Sequence, residues 1–224
     1  PQPQCREFTS CLQTGDNVLL AGPSGTGKSR LVRHVAAELN WPVVRVTGSG
    51  SMSKADLFGE WTVRDGETVF NYGLIPRAVR MGAILQIDEI TGIDPSVLLA
   101  LHELLEDDGR LTLTETGEVI TPHENFRVVA TDNTTGYGDE TGLYAGCNVQ
   151  NEATMQRFSA VFRIEHPEEK RENQILKNHV PETTYEQRQK LIKMARDIRK
   201  MHEQQELMTT VSVRQVINLA AKLE

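Results

Sequence analysis

The stretch that most constrains the fold is residues 21–29, AGPSGTGKS, which matches the phosphate-loop pattern G-x-x-x-x-G-K-[ST]. An apolar run at 18–21 precedes it and a helical apolar pattern at 31–39 follows it, so the motif has the strand, loop and helix context that it requires. Glycines allow a tight turn whose backbone N–H groups hold a phosphate chain. The pattern predicts a nucleotide site formed by Gly22, Pro23, Ser24, Gly25, Thr26, Gly27, Lys28 and Ser29.

A second apolar run, residues 83–87, ends in two carboxylates, Asp88 and Glu89. We expect Lys28 to contact the β- and γ-phosphates, and Ser29 and Asp88 to hold Mg²⁺. Glu89 is predicted to orient or deprotonate the attacking water. A strand that ends in Asp-Glu is common by itself, and the catalytic interpretation depends on the phosphate loop that precedes it.

A third apolar run, residues 126–131, ends in Asp132 and Asn133. The amide of Asn133 is suited to hydrogen-bond a γ-phosphate or a water, although an asparagine that merely begins a turn is an equally good interpretation. Gln86 is polar within an otherwise apolar strand, and it needs hydrogen-bond partners if it is buried.

Between these strands the sequence predicts turn-rich insertions. Residues 51–72 contain the turn signal Asp65-Gly66 and are expected to form an inserted hairpin or loop, and residues 111–121 predict a second hairpin. Residues 94–108 have a helical pattern that begins at Asp94-Pro95, with Glu103, Glu106, Asp107 and Asp108 on its solvated face. Residues 1–17 are interpreted as an irregular lead-in, and residues 134–152 as a long exposed loop.

The composition changes after residue 166, where helical patterns cover 167–180, 185–205 and 212–223. The last pattern opens with Ser212 and Gln215 at the spacing of a capping box. A small helical domain is therefore predicted. Its basic residues are interpreted as a solvated helix face, with partner binding as the alternative: Arg188, Lys190, Lys193, Arg196, Arg199 and Lys200.

Composition excludes several classes. The chain has 224 residues and a formal net charge of −7, which does not favour a nucleic-acid-binding surface. No apolar run is long enough for a membrane span, and no export signal begins the chain. The three cysteines lack the spacing of a disulfide framework or a zinc site. A cytoplasmic location with reduced thiols is the expectation.

The order of these motifs resembles an AAA+ ATPase, from about residue 12 to residue 224. The insertions are similar to those of the MoxR and chelatase branch. Four runs are closer still to the CobS-type ATPase subunit of cobaltochelatase: 40–42 (NWP), 73–76 (GLIP), 104–113 (LLEDDGRLTL) and 138–144 (GDETGLY).

The resemblance implies an α/β fold, an AAA+ P-loop domain whose parallel five-stranded sheet has the order 5-1-4-3-2, at 1–166, and a small C-terminal helical lid at 167–224. It matches Lys28 and Ser29 to Walker A, Asp88 and Glu89 to Walker B, and Asn133 to sensor 1. It further implies that Arg157 is a finger for the neighbouring subunit's γ-phosphate and that Arg214 is sensor 2. Gln156 stands where the family usually has aspartate before the finger.

The family's cofactors are ATP and Mg²⁺. Its members form homo-oligomeric rings, here predicted to be hexamers, and act on partners that often carry a von Willebrand A domain or belong to a chelatase. The first hypothesis is thus a motor that couples ATP hydrolysis to remodelling of, or metal insertion by, a partner complex. A nucleotide-gated assembly scaffold with little turnover is the alternative, and a DNA-translocating ATPase has less support because no recognition motif accompanies the core.

Overall fold

The computed structural model describes residues 3–48, 52–93, 97–98, 101–106, 108–133 and 156–223. These residues form two compact units. The first contains the described residues within 3–21, 28–133 and 156–163, and the second contains 22–27 and 164–223.

A parallel five-stranded sheet lies at the centre of the first unit. The strands of the chain are β1 Val18–Ala21, β2 Val43–Thr47, β3 Gly59–Arg64, β4 Glu67–Tyr72, β5 Ile84–Asp88, β6 Leu111–Leu113, β7 Glu118–Ile120, β8 Arg127–Asp132 and β9 Ala160–Arg163. The central sheet has the order β2-β5-β8-β1-β9. When its five strands are counted along the chain, this is the predicted order 5-1-4-3-2 read from the other edge, so the fold prediction is confirmed.

The burial of the strands explains their apolar composition. β1 and β5 are buried along their whole length, as both faces of an inner parallel strand are covered.

The helices of this unit are α1 Pro3–Thr14, α2 Lys28–Glu38, α3 Lys54–Phe58 and α4 Leu74–Met81.

The interpretation of residues 1–17 as irregular is wrong, because α1 occupies most of them. Cys5, Phe8 and Leu12 recur at helical spacing and are buried, and Phe8 meets Phe162 of β9 edge to face at 6.1 Å. The polar residues between them lowered the mean hydropathy of the segment and obscured this stripe.

The predicted helix at 94–108 differs from the structure at its end. Residues 97, 98 and 101 are helical, but His102–Leu105 form a 3₁₀ turn. Its predicted start at Asp94-Pro95 lies outside the described residues. The apolar face is as predicted, since Leu101, Leu104 and Leu105 are buried.

Both predicted hairpins are present. β3 and β4 pair antiparallel around the turn at Asp65 and Gly66, and β6 pairs with β7. Trp61 of the first hairpin is 53% exposed, and its indole Nε1 donates to the Glu115 carbonyl of the second at 3.2 Å.

The second unit contains three helices after residue 164: α5 Glu169–His179, α6 Tyr185–Glu203 and α7 Val213–Ala220. The capping box predicted at Ser212 and Gln215 is formed at the start of α7. The helices enclose an apolar core that includes Leu176, Ile192, Ala195, Val216 and Ala220.

Two residues of the predicted solvated basic face are instead buried. Arg188 is 7% exposed and donates to Asn173 and to the Thr183 carbonyl. Arg199 is 5% exposed and forms two hydrogen bonds to Glu172. The prediction is wrong for Arg199 because a buried carboxylate, Glu172, compensates its charge, and wrong for Arg188 because neutral acceptors of Asn173 and Thr183 satisfy its donors.

Two further predictions concern parts of the chain that the structure describes incompletely. The loop at 134–152 lies outside the described residues, as does Cys147, whereas Cys5 and Cys11 are free thiols. Among the helices that are described, none has the length and apolar character needed to cross a membrane.

Candidate nucleotide-binding site

The predicted core residues lie at one edge of the sheet. β1, β5 and β8 are parallel neighbours, so their carboxyl ends meet there. Asp88 is the last residue of β5, and Asn133 directly follows β8. Lys28 and Ser29 open α2. This convergence at the carboxyl ends of parallel strands is where open α/β sheets bind ligands.

Ser29 and Asp88 form the first polar contact of the site. The Ser29 hydroxyl donates to Oδ1 of Asp88 at 2.8 Å. A hydroxyl and a carboxylate are the hard oxygen donors that Mg²⁺ prefers, so this pair is chemically suited to hold that ion.

Lys28, Asn133 and Glu89 form the second contact. Lys28 Nζ donates to Oδ1 of Asn133 at 2.9 Å, and Asn133 Nδ2 donates to Oε1 of Glu89 at 3.3 Å. The structure thus brings the predicted cation, amide and general base into one hydrogen-bonded chain. Asn133 therefore lies within hydrogen-bond distance of both Lys28 and Glu89.

The pKa values of Lys28 and Asp88 are both lowered, but for different reasons. Burial lowers the pKa of Lys28 to about 8, although the charges of Asp132, Glu89 and Asp88 oppose the shift. For Asp88, burial is the largest single influence and raises the pKa, but hydrogen bonds from Gln86, Ser29 and Arg45 together hold it below its usual value. Asp88 is consequently a carboxylate at neutral pH.

Glu89 has an unusual backbone. Its φ of 56° lies in the left-handed region, which is rare for a residue other than glycine, and its side chain is exposed. The amide of Glu89 donates to the Thr131 hydroxyl at 3.3 Å. Backbone strain of this kind persists where the surroundings impose it, and it occurs often at active sites.

The segment that leaves β2 lies directly against this turn. Gly48 donates its amide to the Asp88 carbonyl at 2.7 Å, and a Cβ on Gly48 would lie 2.0 Å from the Glu89 carbonyl oxygen. A Cβ on Gly92 would in turn lie 2.2 Å from the carbonyl oxygen of Gly48. Both positions require glycine.

The glycine loop belongs to the second unit. Gly22, Gly25 and Gly27 have φ values of 143°, 75° and 100°, so the chain curls as the motif predicts. The Thr26 hydroxyl donates to the Pro23 carbonyl at 3.0 Å. A Cβ on Gly25 would lie 2.2 Å from Cβ of Ser212, the residue that caps α7.

The two predicted arginines are in different settings. Arg214 is exposed in the first turn of α7, two residues after Ser212. Arg157 Nε donates to Oε1 of Glu106 in the same chain at 2.7 Å. Burial and the charge of Arg157 lower the pKa of the neighbouring His102, although Glu106 opposes the shift.

Sequence reasoning missed two residues of the site, Arg45 and Thr131. The Thr131 hydroxyl donates to Asp88 Oδ1 at 3.1 Å, and the Arg45 guanidinium is paired with Oδ2 of the same carboxylate. A charged residue inside the apolar run of β2 was the available signal for Arg45. Gln86, flagged as unusual, is fully buried and donates to Asp88 at 2.8 Å, while its Oε1 has no partner among the described residues.

A parallel sheet of this order, a phosphate loop before α2 and an Asp-Glu pair after β5 define a nucleotide-binding protein of the P-loop class. The family model "AAA domain (dynein-related subfamily)" matches residues 17–158, and the model "CbbQ/NirQ/NorQ C-terminal" matches residues 172–223. The chain therefore belongs to the AAA family, and it is an ATP-hydrolysing enzyme of that family.

Curated relatives agree with this assignment. The aerobic cobaltochelatase subunit CobS of a Sinorhizobium species is 37% identical, over 96% of this chain and 68% of that protein. Protein NorQ of Paracoccus denitrificans is 38% identical, over 71% of this chain and 56% of its own length. The denitrification regulatory protein NirQ of Stutzerimonas stutzeri is 32% identical, over 94% of this chain and 73% of that protein. The predicted MoxR and chelatase branch is thus confirmed.

Solved structures share the fold. A putative ATPase from Cytophaga hutchinsonii has a TM-score of 0.61 and 18% identity, over 81% of this chain and 51% of its own. NtrX from Brucella abortus, solved in complex with ATP, has a TM-score of 0.58 and 17% identity, over 79% of this chain and 40% of the NtrX chain. The present chain thus spans about half of each of these proteins or less.

Proposed function

We propose that this chain is a ring-forming motor that couples Mg-ATP hydrolysis to remodelling of, or metal insertion by, a partner complex. The observation that carries the proposal is the pair of contacts at one sheet edge, Ser29 with Asp88 and Lys28 with Asn133 and Glu89. The proposed domains are a nucleotide-binding core at 1–166 and a helical lid at 167–224.

Each side chain has a defined task in this proposal. Lys28 neutralises the phosphate chain, and Ser29 and Asp88 hold the Mg²⁺, which when bound supplies further positive charge at the phosphates. Glu89 accepts the proton of the attacking water, and Asn133 keeps Glu89 oriented through its 3.3 Å hydrogen bond. The proximity of Gly25 to Ser212 supports a role for Arg214, since the helix that carries it begins beside the phosphate loop.

Replacement of Glu89 tests the catalytic assignment. Glu89→Gln keeps the shape of the side chain but removes the base, so ATP should still bind while turnover falls by about 10²-fold or more. Turnover is measured as phosphate release with saturating Mg-ATP, and affinity with a fluorescent ATP analogue. Glu60→Gln, which neutralises an exposed carboxylate on β3, is the matched control. A Glu89→Gln chain that hydrolyses ATP at the parent rate would overturn the assignment of Glu89 as the base.

The ring is proposed to share its active sites between subunits. Glu106 of the same chain holds the Arg157 guanidinium, and we propose that the neighbour's γ-phosphate takes the place of Glu106 in the ring. Fingers of this kind contribute about 10³- to 10⁵-fold to turnover. Specific activity should therefore rise with protein concentration, and ATP should promote assembly because a ligand that bridges an interface stabilises it.

A mixing experiment tests the shared site. Arg157→Ala and Lys28→Ala chains, each inactive alone, should regain partial activity together, because some interfaces then join an intact phosphate loop to an intact finger. Arg110→Ala, an exposed arginine, is the control and should be active by itself. If mixed rings form and no activity returns, Arg157 acts within its own chain or has no catalytic role.

The partner is proposed from the family resemblance and from the relatives. A von Willebrand A domain protein or a chelatase subunit is the proposed class, since one relative is a cobaltochelatase subunit. The test is stimulation of turnover by a purified von Willebrand A protein from the same genome. Turnover that is unchanged at saturating amounts of this protein would argue against that class.

A further inference from the structure

The carboxylate of Asp88 is surrounded by donors from the protein itself. Oδ1 accepts hydrogen bonds from Ser29 and Gln86, each at 2.8 Å, and from Thr131 at 3.1 Å. Oδ2 is paired with the Arg45 guanidinium. Asp88 is only 4% exposed, so these protein groups take the place of water around its charge.

Counting lone pairs shows which oxygen remains for a metal. A carboxylate offers about four acceptor positions, two on each oxygen. Three donors already crowd Oδ1, and among the described residues Arg45 is the partner of Oδ2. A Mg²⁺ ion that engages Asp88 therefore approaches the oxygen that Arg45 holds, and it meets the like charge of the guanidinium.

Of these two paired groups, Arg45 is the one with room to move. Asp88 ends the inner strand β5, and its side chain is 5% exposed. Arg45 lies on the edge strand β2, and its side chain is 54% exposed. A guanidinium can reach solvent from this position by rotating its flexible stem, whereas the carboxylate is fixed by three further hydrogen bonds.

We propose that Arg45 is a positioning residue that holds Asp88 in the nucleotide-free site and must withdraw when Mg²⁺-nucleotide binds. The arginine is a tethered cation that competes with Mg²⁺ for one carboxylate oxygen. Its pairing with Asp88 raises the Mg²⁺ concentration that nucleotide binding needs. The inference rests on the proposed function, because it assigns a regulator to the same Mg²⁺-nucleotide site.

The test is a Mg²⁺ titration of ADP binding. Fluorescent N-methylanthraniloyl-ADP is held at a fixed concentration while MgCl₂ is varied, so the readout does not depend on turnover. Arg45→Gln should lower the Mg²⁺ midpoint by roughly 3- to 10-fold, the range expected for the loss of a partly exposed competing charge. Arg45→Lys keeps the charge and should stay within about twofold of the parent. Arg64→Gln removes an exposed charge elsewhere, and its Mg²⁺ midpoint should also stay within about twofold of the parent.

A purely structural role predicts a different pattern. If Arg45 only orients Asp88 for the metal, Arg45→Gln leaves the midpoint unchanged or raises it, and the proposal is wrong. If the parent shows no Mg²⁺-dependent ADP binding at all, the proposed function fails together with the inference. Parent binding with an unmoved midpoint in Arg45→Gln overturns the inference alone.

A measurement on the unaltered chain protects the test against a variant that does not fold. Phenylglyoxal modifies accessible guanidinium groups, and mass spectrometry locates the modified arginines. Arg45 should react faster with Mg-ADP than with ADP and a chelator, because withdrawal from Asp88 exposes it. An equal or slower reaction in Mg-ADP would show that Arg45 is not released and would refute the proposal.

Discussion

The buried ion pair of the helical unit allows a sharp prediction for stability. Glu172 on α5 is fully buried, and Arg199 on α6 has a side chain that is 6% exposed. Two hydrogen bonds of 2.8 and 3.0 Å join them, and Arg199 Nε also donates to the Val211 carbonyl at 2.9 Å. We predict that Glu172→Gln strongly destabilises the protein, because it leaves the guanidinium charge buried without its carboxylate.

The magnitude follows from the burial of the pair. Removal of one partner of a buried pair costs about 3–5 kcal/mol, and the glutamine retains one acceptor, so we expect about 3 kcal/mol. The matched control lies on the same two helices. Glu169 and Arg196 are 3.7 Å apart with side chains 53% and 50% exposed, so Glu169→Gln should cost no more than about 0.5 kcal/mol.

Urea unfolding followed by circular dichroism measures both variants. With a slope of about 1–3 kcal/mol per molar urea, Glu172→Gln should lower the midpoint by about 1–3 M, and Glu169→Gln should barely change it. Equal shifts in the two variants, or a cost below about 1 kcal/mol for Glu172→Gln, would refute the reasoning. Replacement of Glu172 and Arg199 together by methionine should restore part of the loss, since no unpaired charge then remains.

Three further predictions concern the loop, the lysine and the insertion. Gly25→Ala should abolish nucleotide binding because its Cβ would meet Ser212. Gly66→Ala is the control and should keep nucleotide binding, because Gly66 has a φ of 83° but no neighbour within 4 Å. Equal nucleotide affinities in the two variants would contradict this prediction. Lys28 has a pKa of about 8, and a bound phosphate favours its charged form, so ADP affinity without Mg²⁺ should fall as pH rises above about 8. Calorimetry at about pH 8.5 should therefore detect proton uptake on ADP binding. An ADP affinity that stays constant up to about pH 9 would contradict this prediction. Trp61→Ala should lower the free energy of unfolding, measured by thermal unfolding, by about 1 kcal/mol or less, and it should reduce partner-stimulated turnover. A loss of several degrees in Tm would instead assign Trp61 to the core.

The fold was predictable where motif and periodicity agree. The strand before the phosphate loop and the strand before Asp88 are continuous apolar runs, which is the pattern of inner parallel strands. The sheet order, however, came from the family resemblance, because a strand pattern does not by itself specify its neighbours. α1 was missed since its three buried residues are diluted by polar ones.

The site was predictable where residues are adjacent in sequence to a recognisable motif. Lys28, Ser29, Asp88 and Glu89 belong to such motifs, and the structure places them at one edge of the sheet. Arg45 could not be identified this way, since it reaches Asp88 only through the pairing of β2 with β5. Arg188 and Arg199 were misassigned for the same reason, because their burial depends on partners distant along the chain.

The glycine contacts beside Glu89 have a mechanical consequence. Gly48 is bonded to the Asp88 carbonyl and lies against the Glu89 carbonyl, and Gly92 closes on Gly48 from the other side. Gly48 directly follows the last residue of β2. The contacts leave no room for a side chain at Gly48, so a displacement of a few tenths of an ångström there would press on the backbone that aims Glu89.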